Sequence, residues 1–229
     1  MLLLLLAAVV AVLGSACLKI EREHLYTANG NTFNFGEVKN DTDSYYEWVT
    51  VAGTYYDSAG NVIPSPSVPV RTCTNLVSPH DSSPFKLVAP PEQSIDRYEL
   101  SVQGTPTTNV LPTYLSLQEV SPQEARTGGS CSGLLVSGSV KNNGDVTYNE
   151  VEVCAAFYKD GVVVERGFAY VQPGSPGPDD LGPGQVGSFS IRGSLPEGTT
   201  EFRLWVDGAQ LGSSNSSVMA ISTAMMSLP

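Results

Sequence analysis

The sequence predicts an all-β chain of two tandem β-sandwich domains behind an N-terminal signal segment. Three observations predict it. Residues 36–56 (GEVKNDTDSYYEWVTVAGTYY) and 138–158 (GSVKNNGDVTYNEVEVCAAFY), slid by 102 positions, are identical at nine of twenty-one places. The closing strands repeat at a spacing of 104, matching Phe85/Phe189, Leu100/Leu204, Val102/Val206 and Gly104/Gly208, with Tyr98 opposite Phe202. The 22 Gly and 16 Pro fall in turns between short β-rich runs, the punctuation of all-β domains. A chain of 229 residues holds two domains of about 100 residues each.

Charge narrows the partners. Lys and Arg number 12 against 23 Asp and Glu, a net charge of −11, and the acid is spread evenly along the chain. Such a surface repels phosphate backbones, and the chain lacks the basic cluster that nucleic-acid binding needs.

Residues 2–13 are uninterrupted Leu, Ala and Val, followed by Gly14-Ser15-Ala16 and Cys17. The run is short of the about 20 apolar residues of a membrane span and reads as a secretory signal over residues 1–16. Cys17 directly after Gly-Ser-Ala resembles a bacterial lipobox. That resemblance implies loss of the first 16 residues and a lipid on Cys17. The protein is then expected at the cell envelope, anchored on the outer side of the cytoplasmic membrane. A cleaved, freely secreted form is the alternative.

After a short segment 17–24, the first domain is expected over 25–104. Asn29-Gly30 marks a hairpin turn before a strand at 32–39, where Phe33, Phe35 and Glu37 alternate with Asn34, Gly36 and Val38. A polar turn at 40–44 leads to a long strand, Tyr45–Tyr56, with Val49, Val51, Gly53 and Tyr55 inward and Trp48, Thr50, Ala52, Thr54 and Tyr56 outward. In the second copy Val151, Val153, Ala155 and Phe157 alternate with Glu150, Glu152, Cys154 and Ala156, so the outer face is expected to be solvated. The loop 57–61 is a hairpin turn; it lacks the alternating acids and closing Glu of a calcium loop. Residues 64–84 are rich in Pro and Ser, which suits an edge strand and loop. Strands at 85–88 and 98–102 complete the domain.

A polar linker, 105–111, leads to the second domain, 112–208, with strands at 114–120, 134–140, 148–158, 162–171, 186–192 and 200–206. Turns fall at 142–145 and 160–161, and a Pro/Gly loop at 172–184. Residues 209–229 form a Ser-rich tail, expected to be disordered, within which 218–226 could dock as a short strand or helix. Six or seven short strands per domain suggest a sandwich, with a single curled barrel as the competing architecture.

Gly36-Glu37-Val38-Lys39-Asn40 and Gly138-Ser139-Val140-Lys141-Asn142, each followed by a Val-alternating strand ending at Tyr55-Tyr56-Asp57 or Phe157-Tyr158-Lys159-Asp160, resemble the bacterial FxLYD domain. Gly53 and Ala155 stand where the family carries its Phe. The resemblance implies an immunoglobulin-like sandwich in exported or envelope-attached proteins, with no catalytic role assigned.

Chemistry is sparse. The two histidines, His24 and His80, lack the spacing of a metal pair. His80-Asp81-Ser82-Ser83 contains the residue types of a catalytic triad, but triads assemble from distant segments. No nucleophile elbow, phosphate loop or dinucleotide fingerprint occurs, so no metal, no cofactor and no enzyme activity are expected. Besides Cys17, three cysteines remain: Cys73, Cys131 and Cys154. A hairpin of 134–140 with 148–158 would set Cys154 opposite Val136, leaving Cys131 about 16 Å away along the strand. A disulfide needs Cα atoms within about 7 Å, which disfavours that pair. Tyr45, Tyr46 and Trp48 form the candidate exposed face, although Tyr46 and Tyr148 recur in both copies and could pack under a loop. The expected role is a lipid-anchored spacer or protein-interaction module facing an unidentified envelope protein or glycan. The alternative is a glycan- or peptide-binding module on that aromatic face. A hydrolase would require His80 or His24 beside a Ser, Cys or carboxylate in a pocket.

Overall fold

The computed structural model describes residues 17–28, 30–64, 68–108, 110, 114–127, 130–173, 180–193, 198–210, 221–222 and 226–228. The signal segment 1–16 lies outside the described residues.

In the first repeat, β1 (Leu18–Ala28) and β2 (Asn31–Asn40) form an antiparallel hairpin, with Gly30 before β2 at φ +77°. β3 (Tyr45–Tyr56) follows in the facing sheet. Along one edge of β3 run three short strands in series: β4 (Val62–Ile63), β5 (Val70–Arg71) and β6 (Leu76–Val77). β7 (Ser82–Ala89) returns to β2, and β8 (Arg97–Thr107) pairs with the other edge of β3. Val38, Val49, Val51, Tyr55, Phe85 and Leu87 fill the space between the sheets. Leu18 is buried in this core, which is why the first strand starts at Leu18 and not near residue 25. β8 continues into the expected linker, pairing Thr107 with Tyr45.

The second repeat holds β9 (Leu115–Thr127), β10 (Ser130–Asn142), β11 (Tyr148–Lys159), β12 (Val162–Tyr170), β13 (Gln172–Pro173), β14 (Val186–Gly193) and β15 (Glu201–Gln210). From the tail come β16 (Ile221–Ser222) and β17 (Met226–Ser227). One sheet runs β13-β14-β10-β9; the other runs β12-β11-β15, with β16 and β17 on the far side of β15. At these two strands the tail takes the docked alternative to disorder, and Met226 and Leu228 pack against the core. Each repeat is an antiparallel, immunoglobulin-like sandwich of two facing sheets, so the barrel alternative falls.

The shared motif now has a physical reading. A Cβ on Gly36 would meet the Phe85 ring at 2.8 Å, and one on Gly138 the Phe189 ring at 2.9 Å. Val38 and Val140 are wholly buried. Asn40, also wholly buried, donates from Nδ2 to the carbonyls of Ser44 (2.7 Å) and Ser78 (3.0 Å), while its Oδ1 accepts from Thr42 N–H at 3.1 Å. Asn142 repeats this, donating to Val146 (2.7 Å) and Leu181 (2.9 Å) and accepting from Gly144 N–H at 2.9 Å. These amides satisfy backbone carbonyls where the chain crosses between sheets. The crossing also corrects the expected hairpin: β10 and β11 lie in different sheets, so Cys154 does not oppose Val136.

Both copies carry the same bulge. Trp48 at φ +56° and Glu150 at φ +50° sit where the pairing to β8 and β15 slips. An extra residue in one strand re-aims its side chains. Tyr46 and Val49 therefore share the buried face, and Trp48 turns outward.

Candidate functional site

The two sandwiches meet face to face, and this seam is the most elaborated part of the molecule. Phe33, Phe35 and Glu37 point away from the first core. They cover the outer face of β11, where Cys154, Ala156 and Tyr158 are 2%, 0% and 0% exposed. The expected solvated face is corrected here: Glu150 keeps the exposed end of the strand, Glu152 is half-buried, and uncharged residues occupy the covered end. Trp205 and Val163 complete the apolar cluster.

A disulfide crosses the seam. Cys73 and Cys154 are joined with Cα atoms 6.2 Å apart, at a sequence separation of 81. Cys154 is thereby committed, and Cys131 is not its partner; the side chain of Cys131 lies outside the described residues. Cys73 is held between buried Thr72 and Thr74 by a hydrogen bond from its N–H to the Pro84 carbonyl at 2.8 Å.

Polar groups flank the bond. The Tyr158 hydroxyl donates to the buried Glu37 carboxylate, and Arg22 lies 3.7 Å from Glu37 with its guanidinium over the Tyr158 ring. Arg203 donates to Asp81 (2.6 Å) and Ser82 (3.1 Å), and Lys86 pairs with Glu165 at 3.0 Å. Asp207 accepts from Asn75 N–H at 2.7 Å across the seam and from Gly208 N–H at 2.8 Å. Burial pushes the Asp207 carboxyl up to about 6 against the pull of those hydrogen bonds. Burial, then the Asp207 charge, pushes Glu152 up to about 7. Glu152 and Asp207 are direct cross-strand neighbours, and burial also lowers the pKa of nearby Arg166. Carboxyls with raised values in a partly dry setting keep their protons to higher pH than exposed ones do.

The residues singled out from sequence are dispersed. Trp48 is 57% exposed, and the Arg71 guanidinium stacks 3.9 Å above its ring. Tyr46 is buried in the first core and Tyr45 is half-buried, so the three aromatics do not form one face. Cys17 is half-buried, its carbonyl accepting from Asp41 N–H at 3.2 Å. The run at residue 80 is no triad. His80 meets Asp43 at 2.9 Å, Asp81 and Ser82 take Arg203, and Ser83 bonds Thr74. His24 stacks with Tyr26 at 6.3 Å. Asp57 accepts from Ala59 and Asn61 N–H within its own turn. Among the described residues no group of three or more His, Cys, Asp or Glu is placed to hold a metal. Sequence reasoning missed the seam. Its trace was the loss of charge between Glu152 and Cys154 and the outward Phe33 and Phe35.

No family model matches the chain, and no curated protein matches it. Among solved structures the chain is similar to red sea bream transglutaminase, at 14% identity and a TM-score of 0.29, over 89% of this chain and 31% of that one. The chain thus spans about a third of that protein's length. A likeness at this level carries no argument for a shared activity. The expectation that the chain is no enzyme is withdrawn: this neighbour is itself an enzyme.

Proposed function

We propose that this is an exported protein, held at the cell envelope by a lipid on Cys17, whose paired sandwiches act as a rigid spacer and protein-interaction unit. The Cys73–Cys154 bond carries the export reading, because structural disulfides persist in oxidising compartments. Residues 2–17 add the lipobox-like signal. Cys17 adjoins Leu18, the first core residue, so a lipid there would hold the first sandwich close to the bilayer. The test is the intact mass of the mature protein from native membranes, with and without reductant. The expected mass is that of residues 17–229 plus a diacyl or triacyl group, rising by two hydrogens on reduction. An unlipidated mass overturns the anchor and leaves a secreted protein.

A second reading keeps the exposed Trp48, with Arg71 stacked on it, as a contact for glycan or peptide. Trp48→Ala with undiminished binding to cell-wall material would remove it.

A further inference from the structure

The duplication exposes a difference between the two sandwiches. In the second, β15 is flanked on its outer edge by β16 and β17, with Ile221 in register with Val206 and Met226 with Phe202. In the first, the corresponding strand β8 pairs with β3 alone among the described residues. The inward residues record the consequence. Phe202, Leu204 and Val206 are each 0% exposed, whereas their counterparts Tyr98, Leu100 and Val102 are only partly buried. The topology gives the reason: β8 ends at Thr107 and β9 begins at Leu115. The chain that would return along β8 instead enters the second domain.

An unpaired edge presents N–H and C=O groups to any extended chain that reaches it. Natural edges are guarded by charge, Pro or brevity. On β8 these guards sit at the ends, with Arg97 and Glu99 at one and Pro106 at the other. The stretch Leu100, Ser101, Val102, Gln103 carries no charge. We propose that this stretch of β8 is a strand-acceptor site. It takes an extended, uncharged segment of a partner polypeptide, antiparallel to β8, with apolar side chains opposite Tyr98 and Val102. The occupant's chemistry is read from the copy: on β15 the same places are taken by Met226 and Ile221. Main-chain hydrogen bonds would supply the affinity and the two apolar positions the selectivity. The inference gives the protein-interaction reading a surface and rests on that reading only for its biological setting. It does not depend on lipidation.

The test uses the full-length mature protein in detergent and a synthetic peptide with the sequence of residues 217–229, followed by amide hydrogen exchange. The expected result is at least a tenfold slowing of exchange across 97–104 at saturating peptide. It should vanish when the peptide carries Lys in place of its Ile and of the second Met of the Met-Met pair. Slowing confined to 201–210 would mean the peptide only displaces the chain's own tail, and would overturn the proposal. No slowing anywhere would overturn it as well. Slowing across 97–104 without peptide, growing with protein concentration and accompanied by a dimer mass, would assign the edge to a second copy and overturn the partner reading. An unlipidated but peptide-binding protein would sink the anchor alone.

Discussion

Asn40 and Asn142 show what a single repeated residue can hold together. Each is buried at a crossing between sheets, and each donates to backbone carbonyls there. Asn142→Ala leaves the Val146 and Leu181 carbonyls without that donor, a loss of about 1–3 kcal/mol that urea denaturation will measure. Gly138→Ala drives a methyl into the Phe189 ring and costs about 1–3 kcal/mol by overpacking. Both positions were legible as repeated letters, but not as buried ones. Tyr46 was misplaced for a related reason. Alternation counts residues two by two, and a bulge inserts one that the count cannot see. Nothing in the Tyr-Tyr-Glu-Trp run marks Trp48 as the residue that turns left-handed.

At the scale of elements, strand identities were easy to read and partners were not. Tyr45–Tyr56 was bounded correctly from its apolar alternation. The neighbour of β10 was misassigned because a polar turn serves a hairpin and a sheet-to-sheet crossing equally well. The bulge offers a test. A non-glycine residue in the left-handed region is strained, and glycine is not. Glu150→Gly should therefore leave the melting temperature unchanged or raise it, although glycine inside a strand ordinarily costs about 0.5–1 kcal/mol. Asn149, next to Glu150, has no positive φ, and glycine there should show that ordinary loss.

The whole molecule is governed by the seam. Pairing of Cys73 with Cys154 depends on how the sandwiches dock, which no local pattern encodes. Cross-linking residues 81 apart constrains the unfolded chain, so reduction should cost about 2–4 kcal/mol and lower the denaturation midpoint. The Cys73→Ser/Cys154→Ser protein should match the reduced form. Acid should act the other way. Asp207 and Glu152 titrate at about 6 and about 7 in the folded protein, above their ordinary values of 3.8 and 4.5. The folded state then binds more protons than the unfolded chain between about pH 4 and 7, and stability falls as pH rises through that window. The melting temperature should be higher at pH 5.5 than at pH 8, and Asp207→Asn should remove much of the difference.

The seam joins unlike faces: the β2 side of one repeat against the β11 side of the next. Contacts of that kind have no built-in end, and a series of like copies would add head to tail into a filament. These two repeats make one such contact. The second repeat's counterparts of Phe33, Phe35 and Glu37 are Leu135, Ser137 and Ser139, and the first repeat's counterpart of Cys154 is Ala52. Three of these four counterparts are small, so the docking surfaces of the seam are not repeated on the outer faces of the pair. The same substitutions fix the order of the two repeats. Only the first repeat can lead and only the second can follow, so the polarity of the whole is written into a handful of outward side chains.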